Sequence, residues 1–311
     1  MKKSHSDNTV GPWARHKLDG LEAYLHAYTT ALQKQSFELI FIDAFAGAGQ
    51  SRIRDAWDGA DNTDMLLLDD DFVKDEEQFV EGSPLRALGL TRKFDKHFFF
   101  DVDAERAKLL NDLKSRYPNQ DIEVRVGNAN KLIQDLVPSL DKPMTRGVAF
   151  LDPYGPHLEW RTIEVLGRTG KFEVIINFPL GMAINRLITR NGNIPESWRR
   201  GLNACFGNPA WEQLVYRERT DLFGETTIQK VDNAAQRLLG YYVDRLKKVF
   251  KHVATPSAVR NTRGAPIYYM LWAGPHPLGH RIADNILSKG EKVTAPVKNI
   301  PDGNDASGGV E

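Results

Sequence analysis

The apolar run that closes in FLDPYG, Phe150 to Gly155, puts a carboxylate, a proline and a phenol ring in succession where a strand would stop. Open α/β sheets bind their ligands at the carboxyl ends of strands. Asp152, Pro153 and Tyr154 are therefore either a catalytic group or a turn, and the rest of the chain has to decide. Three other apolar runs end in the same manner. LIFIDAFAGAG carries Asp43 and then Gly47 and Gly49, glycines that let the backbone turn sharply and approach a nucleotide-like ligand. The dinucleotide fingerprint G-x-G-x-x-G fails here, because its third glycine position holds Arg52. KHFFFD ends in Asp101, where doubly wound folds place a carboxylate for ribose hydroxyls. IEVRV runs into GNAN, so that Asn128 presents an amide able to read an adenine edge. Asp103, two residues beyond Asp101, reads as a helix cap.

These groups need a scaffold that aligns strand ends, and the chain predicts one. Leu18, Leu21, Leu25, Tyr28 and Leu32 recur at helical spacing, which gives an opening helix from Trp13 to about Gln33. Five strands follow, in LIFID, KHFFFD, IEVRV, GVAFLD and FEVIINF. Helices come between them: one from Pro84, with Ser83 as expected cap, one from Ala104 to about Ser115, and stretches around Leu132 and Ile163. Alternation of this kind predicts an α/β fold with a parallel sheet covered by helices on both faces. After Pro179 short helices and loops are expected up to about Val231, then a long helix from Asn233 to Phe250. Two last strands, Val253 to Val259 and Pro266 to Ala273, suit an antiparallel pair at the sheet edge. The expected organisation is an N-terminal helical segment at 1–35, a main domain at 36–288 with an acidic insertion at 53–81 and a helical insertion at about 191–232, and a disordered tail at 289–311.

Composition limits the chemistry. With 311 residues, 41% hydrophobic and 26% charged, the chain has enough apolar content for a large core, and no apolar run approaches the roughly 20 residues of a membrane span. The start MKKSHSDNTV has no apolar signal core, so a cytoplasmic protein is expected. The single cysteine, Cys205, excludes an internal disulfide and a thiolate metal cage. His276 and His280 stand four apart, but no carboxylate or thiolate accompanies them, and no metal is expected. A net charge of zero hides an uneven distribution. Asp55 to Glu81 holds 11 acids and one base, which leaves 40 bases against 30 acids elsewhere. Arg186 to Arg263 has 14 bases and 7 acids interleaved with Trp198, Trp211, Tyr216, Tyr241 and Tyr242, a mixture suited to phosphate contacts and base stacking. The acidic insertion is then expected to be a lid or a mimic of nucleic-acid charge.

A glycine loop, an acid, an amide and an Asp-Pro-Tyr at the ends of successive strands resemble the layout of class I S-adenosylmethionine-dependent methyltransferases. More closely, F-x-D-x-F-A-G-x-G, GSPLRAL, FFFDVDAERAKLL, GNAN, FLDPYG and IYYMLWAGPHPLGHRIADNIL resemble the three-Cys-motif partner proteins, over most of residues 13–288. The resemblance implies a doubly wound, mostly parallel Rossmann-like sheet and S-adenosylmethionine as cofactor. It implies that Asp43, Gly47 and Gly49 hold the methionine moiety, Asp101 the ribose and Asn128 the adenine, with Phe45 and Ala129 in the same pocket. Asn128 departs from the pattern, since related enzymes usually carry an acid there. FLDPYG also resembles the Asp-Pro-Pro-Tyr and Asp-Pro-Phe-Gly boxes of enzymes that methylate exocyclic amines of nucleobases. That likeness implies that the Asp152 carboxylate and the Pro153 carbonyl accept the amine hydrogens while Tyr154 stacks on the base. It implies a nucleic acid or nucleotide as substrate, while the resemblance to the three-Cys-motif partner proteins implies a three-cysteine-motif protein as partner. A methyltransferase-like binding module without turnover is the alternative.

Overall fold

The structure, a computed structural model, describes residues 12–47, 82–220, 223–224, 226–260 and 264–287. Helix α1 (Pro12–Ala31) leads into β1 (Glu38–Asp43). A short α2 (Ser83–Leu88) precedes β2 (Lys96–Asp101), α3 (Ala104–Arg116), β3 (Asp121–Val126), α4 (Ala129–Leu140) and β4 (Thr145–Leu151). Then come α5 (Trp160–Arg168) and β5 (Phe172–Phe178). Beyond a π turn (Leu180–Ile184) lie α6 (Glu196–Phe206), α7 (Trp211–Val215), β6 (Tyr216–Thr220), β7 (Thr226–Lys230) and α8 (Ala234–Val249). The last elements are β8 (His252–Val253), β9 (Ser257–Arg260), β10 (Pro266–Gly274) and α9 (Pro277–Leu287).

The main sheet has the order β3-β2-β1-β4-β5-β10-β8, with β9 also paired to β10. Strands β1 to β5 are mutually parallel, while β10 runs antiparallel to β5, β8 and β9. Burial on both sheet faces is what the unbroken apolar runs require. All seven residues of β5 are buried. The period-2 alternation of a strand then divides the core. Ile40, Ile42, Phe98, Phe100, Ala149 and Leu151 face one cluster with α4, α5 and α8. Leu39, Phe41, Phe99, Val148 and Phe150 face the other with α1, α2 and α9. This is the α/β, doubly wound, mostly parallel fold of the class I methyltransferase-like Rossmann type, with an antiparallel edge pair. The chain order reverses between β1 and β4, and at such a switch point the connections diverge and leave a crevice.

Four details differ from the sequence reading. The strand expected at Val253 to Val259 is two pieces, β8 and β9, separated at Ala254–Pro256; Pro256 has no N–H to give to a ladder. Strand β10 sits inside this edge pair, between β5 and the β8/β9 side. The stretch at 191–232 holds a two-stranded hairpin, β6 and β7, as well as helices. Gly82, not Ser83, occupies the N-cap of α2, and Ser83 is the first helical residue with Pro84 behind it. The acidic insertion, Gly49, Arg52, the turn at 261–263 and the tail from 289 fall outside the described residues.

Candidate active site at the strand tips

Asp43 closes β1 and is fully buried. Its Oδ1 accepts the Phe45 amide at 3.4 Å, and among the described residues its Oδ2 has no hydrogen-bond partner. Burial pushes this carboxyl up from the usual 3.8 to about 7, with the Ser83 hydroxyl pulling the other way and the charge of Asp152 adding to the rise. The chain then turns through Gly47 at φ +56°, in the left-handed region that favours glycine. The Ala46 amide donates to the Phe100 carbonyl at 2.9 Å, which ties this loop to the tip of β2.

At that tip Asp101 is 6% exposed. Its Oδ1 accepts the Asp103 amide at 2.7 Å, and Arg106 lies 3.9 Å from Oδ2. Burial raises its pKa, opposed by the Asp103 amide, Arg106 and the Gly47 backbone. Asp103 caps α3, accepting from the amides of Glu105 and Arg106 at 2.7 and 3.0 Å. The Gly127 amide donates to the Asp101 carbonyl at 2.9 Å, so the tip of β3 is fastened to that of β2. Asn128 follows as the exposed N-cap of α4, and its Oδ1 accepts the Lys131 amide at 3.2 Å. One acceptor lone pair of Asn128 is therefore spent on the helix. Ala129 is buried at the first position of α4.

Asp152 stands just past β4, whose Phe150 pairs with Asp43 across the switch point. The Lys17 ammonium of α1 donates to its Oδ2 at 2.6 Å, and the Asn177 amide of β5 donates to its Oδ1 at 2.6 Å. Lys17 is only 6% exposed. A carboxylate offers about four lone-pair positions. Fixed by one donor on each oxygen, Asp152 keeps acceptor capacity on both. Pro153 is buried, whereas Tyr154 is 49% exposed. The loop continues through a turn at Gly155–His157 that Asn130 pins down. The Asn130 Nδ2 donates to the His157 carbonyl at 2.8 Å, and its Oδ1 accepts the Glu159 amide at 3.0 Å and the Thr162 hydroxyl at 2.9 Å.

The structure thus puts Asp43, Phe45, Gly47, Asp101, Asn128, Ala129, Asp152, Pro153 and Tyr154 at the carboxyl ends of β1, β2, β3 and β4. Sequence reasoning missed Lys17, Asn130 and Asn177. Each carried a readable signal, a polar group at a core-facing position. Lys17 shares a helix face with Leu21, Tyr24 and Tyr28, Asn177 interrupts FEVIINF, and Asn130 lies on the buried face with Ile133 and Val137.

No protein-family model matches the chain, and no curated protein matches it. Solved structures do. A Legionella pneumophila protein, LPL1258, of the DUF519 family model, is 11% identical over 92% of this chain and 95% of its own, with a TM-score of 0.48. The putative methyltransferase yhhF from Escherichia coli is 14% identical over 66% and 81%, with a TM-score of 0.28. WbdD, a bifunctional kinase-methyltransferase, is 12% identical over 84% of this chain and 40% of its own, with a TM-score of 0.39. The strand order, not these likenesses, defines the fold as methyltransferase-like. Among the described residues no helix is long and apolar enough to cross a membrane.

Proposed function

We propose that the protein is an S-adenosylmethionine-dependent methyltransferase that acts on an exocyclic amine of a nucleobase in nucleic acid. The observation that carries this reading is Asp152, a carboxylate held at a strand tip by Lys17 and Asn177 with an exposed tyrosine two residues on. A turn former needs no such fixation.

The cofactor end fits a nucleoside that bears an ammonium group. Asp43 offers a buried oxygen without a partner among the described residues, Asp101 a buried carboxylate, and Gly47 a left-handed turn that brings backbone close. Asp43 and Gly47 would hold the amino acid portion, and Asp101 the ribose hydroxyls. S-adenosylmethionine bound there supplies an electrophilic methyl group. The chain's own residues act on the acceptor. The Asp152 carboxylate and the Pro153 carbonyl accept the two amine hydrogens and aim the nitrogen lone pair. The Tyr154 ring stacks on the base, worth about 1–3 kcal/mol, which offsets part of the cost of taking that base out of its stack. Lys17 and Asn177 hold the carboxylate plane, so acceptor activation is a matter of positioning. The sequence motifs support placement among the three-Cys-motif partner proteins, with a three-cysteine-motif protein as a partner.

Transfer of labelled methyl to mixed RNA and DNA, run beside calorimetric titration with S-adenosylmethionine, tests the proposal. Cofactor binding together with transfer supports it. Binding without transfer to any nucleic acid or protein moves the assignment to a silent binding module, the reading favoured by the use of Asn128 as a helix cap.

A further inference from the structure

Two cavities lie away from the strand tips, along the outer side of α5. One, of about 440 Å³, is lined by Trp160, Arg168, Tyr241, Arg245 and Lys248 among others. The second, of about 470 Å³, shares Trp160, Arg168 and Arg245 and adds Arg161. Between them the Arg245 guanidinium lies 4.2 Å from the centre of the Trp160 ring and 5.9 Å from that of Tyr241. It also donates to the Phe206 carbonyl, so this cation is fixed in place with most of its five donors left over. Two carboxylates border the cavities. Glu164 accepts the Trp160 indole N–H at 3.0 Å and lies 3.7 Å from Arg168, and Glu159 stands at the end nearest the site. Four bases against two acids leave the groove positive. Arg161, Arg168 and Lys248 are exposed.

The groove also has a direction. Helix α5 follows parallel strand β4 and must run back from the carboxyl end of the sheet. Helix α8 does the same before β8, which is parallel to β5 through β10. The groove therefore starts beside the Asn130-pinned loop of Asp152 and descends toward Arg168 and Lys248. Eight residues of α5 separate Trp160 from Arg168, about 12 Å of helix, which at a rise of about 3.4 Å per nucleotide covers three or four of them. A small anion would need one or two of these cations.

We propose that this groove binds the phosphodiester backbone of the nucleic-acid substrate and leads the strand away from the base held at Tyr154. The proposal rests on the reading of the substrate as nucleic acid. Its test is the double variant Arg168→Glu, Lys248→Glu, both exposed positions, with thermal melting as the control for folding and Arg161→Glu, Lys248→Glu as a second variant. The probes are mixed-sequence single-stranded 30-mers of RNA and of DNA across a salt series. Losing two phosphate contacts should weaken binding roughly ten- to thirty-fold at 0.1 M salt and flatten the salt slope by about 1.4. In methyl transfer, KM for the polynucleotide should rise while kcat holds. Unchanged affinity and slope in both variants, with the parent binding and transferring normally, overturns the groove alone. A parent that binds neither 30-mer overturns the groove and the nucleic-acid substrate together. Displacement of the 30-mer by micromolar AMP in the parent, lost in the double variant, would make the groove a mononucleotide site and also overturn the proposal.

Discussion

The buried carboxyl of Asp43 makes the site expensive to fold, and that cost is measurable. In the unfolded chain Asp43 releases its proton near 3.8, whereas in the folded chain burial holds the proton to about 7. Between those values the folded state binds more protons than the unfolded one, so stability is fully present at low pH and falls as pH rises through 7. Asp43→Asn keeps the shape and removes the titration. Integrating the proton difference from pH 5 to pH 8, at about 1.4 kcal/mol for each pH unit, the parent should lose about 2–3 kcal/mol more than the variant. Urea unfolding of both proteins at several pH values isolates the effect, because the titrating groups away from Asp43 are common to the pair and cancel, and Asp152, coupled to Asp43, stays ionised across this range in both. On the proposed function Asp43→Asn should also bind S-adenosylmethionine more weakly, since the group proposed to meet its ammonium has lost its charge. A stability difference that stays flat from pH 5 to pH 8 would refute a carboxyl held protonated by burial at the tip of β1.

The other outcomes concern the acceptor side, the glycine loop and one core histidine. Asp152→Asn should abolish labelled-methyl transfer yet leave cofactor affinity within a few-fold. Asp152→Ala should in addition lower the melting temperature, because it removes the carboxylate that meets the buried Lys17 ammonium, a loss of about 3–5 kcal/mol. Tyr154→Phe should transfer nearly as well as the parent and Tyr154→Ala poorly, with the defect in KM for the nucleic acid, since the ring and not the hydroxyl stacks. Gly47→Val places a β-branched residue at φ +56°, at a cost of about 1–2 kcal/mol; the variant should melt lower, remain folded and show no calorimetric binding of S-adenosylmethionine. His97 is buried beside Phe41, Phe94 and Phe99, and burial pushes its pKa from 6.5 down to about 4. A lowered histidine favours folding above 6.5 and loses that stability as pH falls, so His97→Leu should spare about 2 kcal/mol of the parent's loss between pH 7 and pH 5, read by urea titration.

The strand tips were legible because each followed from a local pattern, an apolar run with a polar residue at or just past its end. Asp103 was readable as a cap for the same reason, and it caps α3. Groups whose role depends on distant chain were not. Lys17 and Asp152 are 135 residues apart, and nothing near either residue names the other. The hairpin of β6 and β7 was hidden because its strands, YRERT and TTIQK, lie mostly in solvent and show no apolar alternation. The break between β8 and β9 was available in Pro256. Ser83 was read as a cap because Pro84 suits the first helical position, whereas the helix starts one residue earlier, with Gly82 at the cap and Pro84 second.

The two ends of the site handle charge in opposite ways, and the difference follows from what each must meet. Asp43 and Asp101 are buried with their pKa values pushed up by desolvation, and Asp43 keeps one oxygen without a protein partner among the described residues. Such groups destabilise the free fold and gain most from a ligand that brings its own cation and hydroxyl donors, so binding energy and folding energy are linked there. Asp152 is instead neutralised in advance by Lys17 and oriented by Asn177. An amine needs an acceptor already in place, and a carboxylate free to rotate would have to be ordered at each encounter. Under the proposed function, the end at Asp43 and Asp101 is completed by its ligand, while the acceptor end is completed by the chain itself, through a lysine delivered by the first helix and an asparagine set into an otherwise apolar strand.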